Sequence, residues 1–407
     1  MHPQAAPSAP HILTTAERMR AHTGPALFSF GFRPFFLFAA LWGALAVPLW
    51  IASRQFSGAT VLGQDGMAWH SHEMLFGYLA GVMAGFLLTA IPNWTGRLPV
   101  TGWPLAGLFG LWCAGRIAML SAGPLGVWAS VIDSAFLIVF AGVVWREVMA
   151  GRNWRNLPVA VMVSLFATAN LAFHYGAIDP AVRDVAVRLA VAVGALLICL
   201  IGGRVTPSFT RNWLARQGAD RLPAPVGRFD QVTLVLTGVS LAAWAAIPEG
   251  VWTGAALVVA GGLNILRLGR WRGHSTSAEP LVWILHLGYL WTALGVLLLG
   301  LSILAPEMFP RVAAIHALTA GGVGVMTLAM MTRASLGHTG QPLTANRSTL
   351  ALYGLANLAA LVRVGSAFAP QAYDLLLTVA AVLWFAAFGL FVAAYGPLLI
   401  APRARAA

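Results

Sequence analysis

Twelve long apolar runs, near 35–52, 74–91, 103–121, 125–145, 157–175, 185–203, 231–247, 251–267, 281–304, 311–332, 349–367 and 375–398, occupy most of the chain and decide its class. Each has about the length a helix needs to cross the hydrocarbon core, roughly 20 residues at about 1.5 Å per residue. Only helices and closed barrels satisfy every backbone polar group in lipid, and apolar runs this long and continuous specify helices. The sequence therefore predicts an all-α, polytopic membrane helix bundle of about twelve transmembrane helices. Of the 407 residues, 59% are apolar and 9% charged. A soluble domain carries about a quarter charged residues. The predicted organisation is a cytoplasmic N-terminal tail at 1–26 and one transmembrane domain at 27–403. An Arg- and Pro-rich cytoplasmic loop at 204–230 divides that domain into spans 1–6 (27–203) and spans 7–12 (231–403).

All 25 basic residues are arginine and the net charge is +12. In a soluble chain that excess would point to nucleic acid. Here it sorts by loop. With the N-terminus inside, Arg54, Arg183, Arg188, Arg311 and Arg363 fall outside and Arg116 lies within span 3, while every other arginine falls on the cytoplasmic side. This satisfies the positive-inside rule, places both termini in the cytoplasm and removes the case for nucleic acid. Residues 1–26 hold no apolar core of a cleavable signal. Cys113 and Cys199 sit in apolar runs, which excludes a disulfide framework and a Cys zinc site, and no C-x-x-C-H for covalent haem occurs.

The chemistry is expected at the histidines. Of ten, His2, His11, His22 and His274 fall in tails or loops, whereas His70, His72, His174, His286, His316 and His338 lie in or beside spans, where a polar ring needs a partner. His70, His72, His174 and His316 approach the outer face, and His286 and His338 the inner face, so two clusters are predicted. His70 and His72 stand about 200° apart on a helix and cannot chelate one ion, which suits two neighbouring centres or one ligand with a supporting group. Glu73, three residues after His70, is placed to orient that ring or to pass protons from outside. A single such histidine is more often a helix cap or an interfacial group; six argue for metal ligation, imidazole suiting iron and copper. On span 10, His316, Thr319, Val323, Met326 and Met330 share an arc of about 80° on an ideal helix. The methionines are assigned to packing.

Arg33, Arg97 and Arg333 reach the inner ends of spans, where a guanidinium can pair with a haem propionate or snorkel to lipid phosphate. Arg116 and Asp133 fall inside adjacent spans 3 and 4 and are expected to form a buried pair.

The segments Phe32-Arg33-Pro34-Phe35-Phe36, Trp69-His70-Ser71-His72-Glu73-Met74-Leu75-Phe76-Gly77 and His316-Ala317-Leu318-Thr319-Ala320-Gly321-Gly322, continuing through Met330-Met331-Thr332-Arg333 to Leu336-Gly337-His338-Thr339-Gly340, closely resemble the NnrS family. The resemblance covers residues 27 to 400. It implies a multi-pass protein of the bacterial inner membrane that contains haem and copper and is linked to nitric oxide and nitrosative stress. On that basis the expected cofactors are haem b and copper, held by His70, His72, His174, His286, His316 and His338. Arg33, Arg97 and Arg333 are the candidate propionate partners and Glu73 the proton donor. The expected partners are the lipid bilayer, nitric oxide as substrate and a membrane electron donor of unknown identity. The leading function is binding and reduction of nitric oxide. The alternatives are a sensor or scavenger without turnover and a twelve-span secondary transporter, against which stands the lack of a second-half counterpart to Arg116 and Asp133.

Overall fold

The computed structural model describes residues 23–55 and 65–402. Expectations for His2, His11, His22, Arg18, Arg20, Arg403 and Arg405 lie outside the described residues. Among the described residues, twelve helices are long and apolar enough to cross a membrane: α1 (Phe32–Arg54), α2 (Gly66–Thr95), α3 (Trp103–Leu120), α4 (Val127–Ala150), α5 (Trp154–Tyr175), α6 (Pro180–Arg216), α7 (Arg228–Ala246), α8 (Val251–Gly269), α9 (Pro280–Leu304), α10 (Arg311–Thr339), α11 (Arg347–Ser366) and α12 (Pro370–Ile400). No strand occurs among the described residues. The chain is an all-α, multi-pass membrane protein.

Sequential helices pack on one another, α6 packs on α7 across the two halves, and α12 returns to α1. The Arg33 guanidinium fastens that closure by donating to the carbonyl oxygens of Leu399 (3.0 Å) and Ala401 (2.6 Å) at the last turn of α12. These carbonyls have no partner within their own helix, and a cation at a helix C-terminus also meets the negative end of its dipole. The same contact puts the first and last spans' free ends on one face, called here the terminal face.

Two helices form the centre. In α2, 78% of the apolar stretch is buried by protein, in α10 72% and in α6 61%, against 50% or less in the other nine. These three carry π-helical stretches, Glu73–Leu79, Ile198–Gly202 and Ala317–Val325. A π turn bonds i to i+5 and so shifts the side-chain register that follows. The shift corrects the span-10 arc. His316, Thr319 and Val323 share a cavity, but Met326 instead lies over Gly202 and Gly288 on α6 and α9.

Boundaries differ in two further places. α2 begins at Gly66, which draws His70 and His72 into the helix. α6 runs on to Arg216, so half of the expected loop at 204–230 is helical. At 37 residues α6 is about 55 Å long and outlasts a hydrocarbon core of about 30 Å. Its extension buries Thr206, Pro207, Thr210 and Leu214 against the bundle while Arg211 and Arg216 stay exposed.

α8 and α9 approach closely at Gly261, where an added Cβ would lie 2.5 Å from the backbone nitrogen of Leu297, whereas a Cβ at Gly262 would meet open space. Gly261→Ala is expected to cost about 1–3 kcal/mol by overpacking and to lower the melting temperature in detergent, with Gly262→Ala at or above wild type. Equal melting of the two variants would contradict this packing.

Candidate functional site

Away from the terminal face, α1, α2, α6, α10, α11 and α12 enclose a cavity of about 280 Å³. Its walls are mostly apolar, and its polar lining includes His70, His316 and Arg363. His70 stacks on Trp50, ring centroids 4.2 Å apart, and its buried Nδ1 has no hydrogen-bond partner. His316 is fixed differently. Its Nδ1 stands 2.8 Å from the Val312 carbonyl oxygen. A carbonyl can only accept, so Nδ1 carries the proton and Nε2 keeps a bare lone pair. This is how a protein commonly sets a metal-ligating imidazole. Arg363 donates to Ser366 Oγ (3.0 Å) and lies beside the Tyr373 ring.

A second site lies behind α2. His72 points away from the cavity, as the i, i+2 spacing requires, into a buried cluster with Glu73, Arg116, Asp133, Asn170 and His174. Asp133 Oδ2 accepts from His72 Nε2, His174 Nε2 and Asn170 Nδ2, each at 2.9 Å. Its other oxygen accepts from Arg116, which also donates to Glu73. Glu73 completes the ring by accepting from His72 Nδ1 (2.9 Å) and Trp42 Nε1 (2.6 Å). Ligand atoms of His72, Asp133 and His174 all lie within 4.8 Å of one another. The Asn170 Oδ1 is buried without a partner. Two imidazoles, a carboxylate and a spare amide oxygen form a donor set suited to divalent copper, iron or zinc.

Glu73 was expected to orient His70 and instead engages His72. The buried Arg116 explains the difference, since a guanidinium in low dielectric has to be surrounded by carboxylates and Glu73 is one of the two within reach. The four histidines expected as one outer cluster are thereby parted into two pairs. His286 and His338 do not meet. His286 bonds Thr210 and lies beside Trp271, while His338 packs on Phe30 and Phe32. Gly288 is opposite Met326, which leaves His338 about 15 Å further along the bundle axis than His286.

Arg33 holds the end of α12, Arg97 bonds Glu147 (2.6 Å), and Arg333 covers the Phe209 ring at 3.8 Å. None of the three lines the cavity, whereas Arg363, which the charge pattern only counts on the outer side, does. The pairing of Arg116 with Asp133 is present. It also has a second-half counterpart in the buried pair Arg267–Asp230 (2.8 Å), so the expected asymmetry is absent. Asn170 and Arg363 gave a signal that sequence reading passed over, Asn170 lying one turn before His174 on the same span and Arg363 inside the apolar run of the span that follows His316.

Arg116→Met leaves Glu73 and Asp133 facing each other in low dielectric. The expected loss is about 3–5 kcal/mol, the cost of stranding a buried charge. Adding Glu73→Gln and Asp133→Asn should restore a substantial part of it, measured by thermal unfolding. No rescue by neutralisation would show that the network contributes through shape alone.

The sequence matches the family described as NnrS protein over residues 26–403. No curated protein matches it. A match over nearly the whole chain, on a bundle whose two central helices carry the histidine motifs, establishes that the protein belongs to the NnrS family.

Proposed function

We propose that the protein binds haem b in the cavity, with copper at the neighbouring cluster, and reduces nitric oxide in the bacterial inner membrane, giving resistance to nitrosative stress. The observation that carries this reading is the pair of imidazoles on the two most buried helices, both lining one apolar cavity and both with a ring nitrogen that no protein group occupies. An unpaired buried nitrogen costs free energy, so a ligand to it is called for. His70 and His316 would hold the haem, and Arg363 would pair with one of its propionates. Copper would be held by His72, His174 and Asp133. Glu73, bonded to the Nδ1 of His72, would serve as the carboxylate that orients a ligating imidazole. Bound there, the two metals supply the affinity for nitric oxide and the electron transfer that the side chains lack.

The chain's own residues bind, shield and move protons. Trp50 and Trp384 keep the cavity dry. His174, half-buried at the end of α5, is the outermost member of the cluster, and the hydrogen bonds run from it through Asp133 and His72 to Glu73. Glu73, at the inner end of that cluster and outside the copper ligand set, would hand over the two protons that two nitric oxide molecules take up with two electrons to give nitrous oxide and water. The positive-inside count supports a cytoplasmic terminal face, and with that orientation these protons would come from the periplasm.

Absorption spectra of purified protein before and after reduction and nitric oxide addition test the reading. Wild type should show a Soret band that shifts with nitric oxide. His70→Ala and His316→Ala should lose the band, whereas His72→Ala and His174→Ala should keep it and lose copper in elemental analysis. Nitrous oxide release separates turnover from binding alone. A colourless wild-type protein, or retention of the band in both cavity variants, would overturn the assignment.

A further inference from the structure

The terminal-face ends of α8 and α9 form a second cleft, about 320 Å³, that none of the chemistry above uses. Leu268, Leu287, Leu290 and Trp283 line it and are half-buried, while Gly269 and His274 are exposed, so the cleft opens sideways where the helices leave the membrane. At its floor is His286, 7% exposed.

The protonation of that ring follows from its neighbours. The Thr210 hydroxyl has one hydrogen, which it donates to the Thr206 carbonyl (2.8 Å). Its oxygen is also 2.8 Å from His286 Nε2 and can only accept there, so Nε2 carries the ring proton. Nδ1 is then a bare acceptor, and it is buried without a partner. What lies over Nδ1 is Gly273, where a Cβ would come within 2.6 Å of it. Gly273 and His286 both line the cleft, and the lack of a side chain at 273 leaves only backbone beside this lone pair. A buried acceptor between apolar and aromatic walls selects a flat apolar molecule bearing a hydroxyl.

We propose that this cleft binds a membrane hydroquinone, one hydroxyl donating to His286 Nδ1, the ring beside Trp283 and the isoprenoid tail leaving over Leu287 and Leu290 into lipid. The binding site stands on the geometry alone. Its role as electron source rests on the function proposed above. There the hydroquinone loses two electrons and two protons and becomes the quinone, and two nitric oxide molecules take up two electrons and two protons to give nitrous oxide and water.

The test is photolabelling of the full-length protein in nanodiscs with an azido-ubiquinone, competed by decylubiquinol. Label should map to residues between Leu268 and Leu290 and be displaced by decylubiquinol. Loss of one buried hydrogen bond should raise the half-displacing concentration about tenfold in Gly273→Ala and His286→Phe. Gly273 lies in a 3-10 turn and is not among the positive-φ glycines, so alanine there suits the backbone, and the three atoms its Cβ would meet first all belong to the His286 ring. Absent or undisplaced label in this segment of the wild type, or equal displacement in both variants, would overturn the proposal. Loss of bound metal in either variant would overturn it as well, by assigning Nδ1 to a metal. Because labelling requires neither haem nor turnover, a colourless protein that labels refutes only the redox reading, and a coloured one that does not label refutes only the cleft.

Discussion

A guanidinium buried among transmembrane helices must be neutralised where it sits, and Arg116 sets that requirement for the first half of the bundle. It draws Glu73 from α2 and Asp133 from α4 to itself, and these carboxylates in turn hold His72 and His174. Four helices are thus joined through one charge. The cost of desolvating such a network is high, and hydrophobic residues of similar volume would often stabilise a bundle as well or better. Its presence is better explained by what it positions than by what it stabilises. It fixes an imidazole between two carboxylates directly behind the helix turn that presents His70 to the cavity.

The π stretches explain how one helix serves both sites. In α2 and in α10 the widened segment starts at the residue after a histidine, Glu73 after His72 and Ala317 after His316. Before that point the α-helical register sends His70 and His72 to opposite sides. After it the extra residue per turn rotates the helix so that Tyr78 reaches Thr327 on α10, 2.5 Å away, and the two central helices are bonded across the base of the cavity. Wide turns are tolerated here because neighbouring helices cover them, leaving no backbone group facing lipid.

This is also where the sequence stops being legible. The twelve spans could be read because apolar length is a local property, and the opposed faces of His70 and His72 because their spacing is two. The union of Arg116 and Asp133 was readable because unpaired charges in adjacent spans have few alternatives. A π insertion shifts the register, but in a helix apolar on nearly every face the shift shows no phase break, so the face of Met326 was misassigned. The partner of Glu73 depends on where α3 brings Arg116, which no spacing within α2 encodes. Arg363 and Arg267 look like loop or span-end arginines in sequence. Only the packing shows one lining a cavity and the other buried against Asp230, Tyr289 and the Cys199 carbonyl.

The polar chemistry is divided between the halves and between the faces. The first half gathers Glu73, Arg116 and Asp133, with the two histidines they hold, at the ends of α2 to α5 away from the terminal face. The second half gathers Asp230, Asn264, Arg267 and Tyr289 toward the terminal ends of α7, α8 and α9. This second network stiffens the helices that carry the lateral cleft. Arg267 lies over the Trp271 ring, and Trp271 stands edge-on to both Tyr289 and His286. Trp271 thus holds the ring's orientation while Thr210 sets its tautomer, without a ligand present. Under the function proposed above, a substrate entering from the aqueous side and a reductant entering from lipid would need separate doors, and the bundle has two separate openings, the cavity backed by the Arg116 network and the cleft beside the Arg267 network.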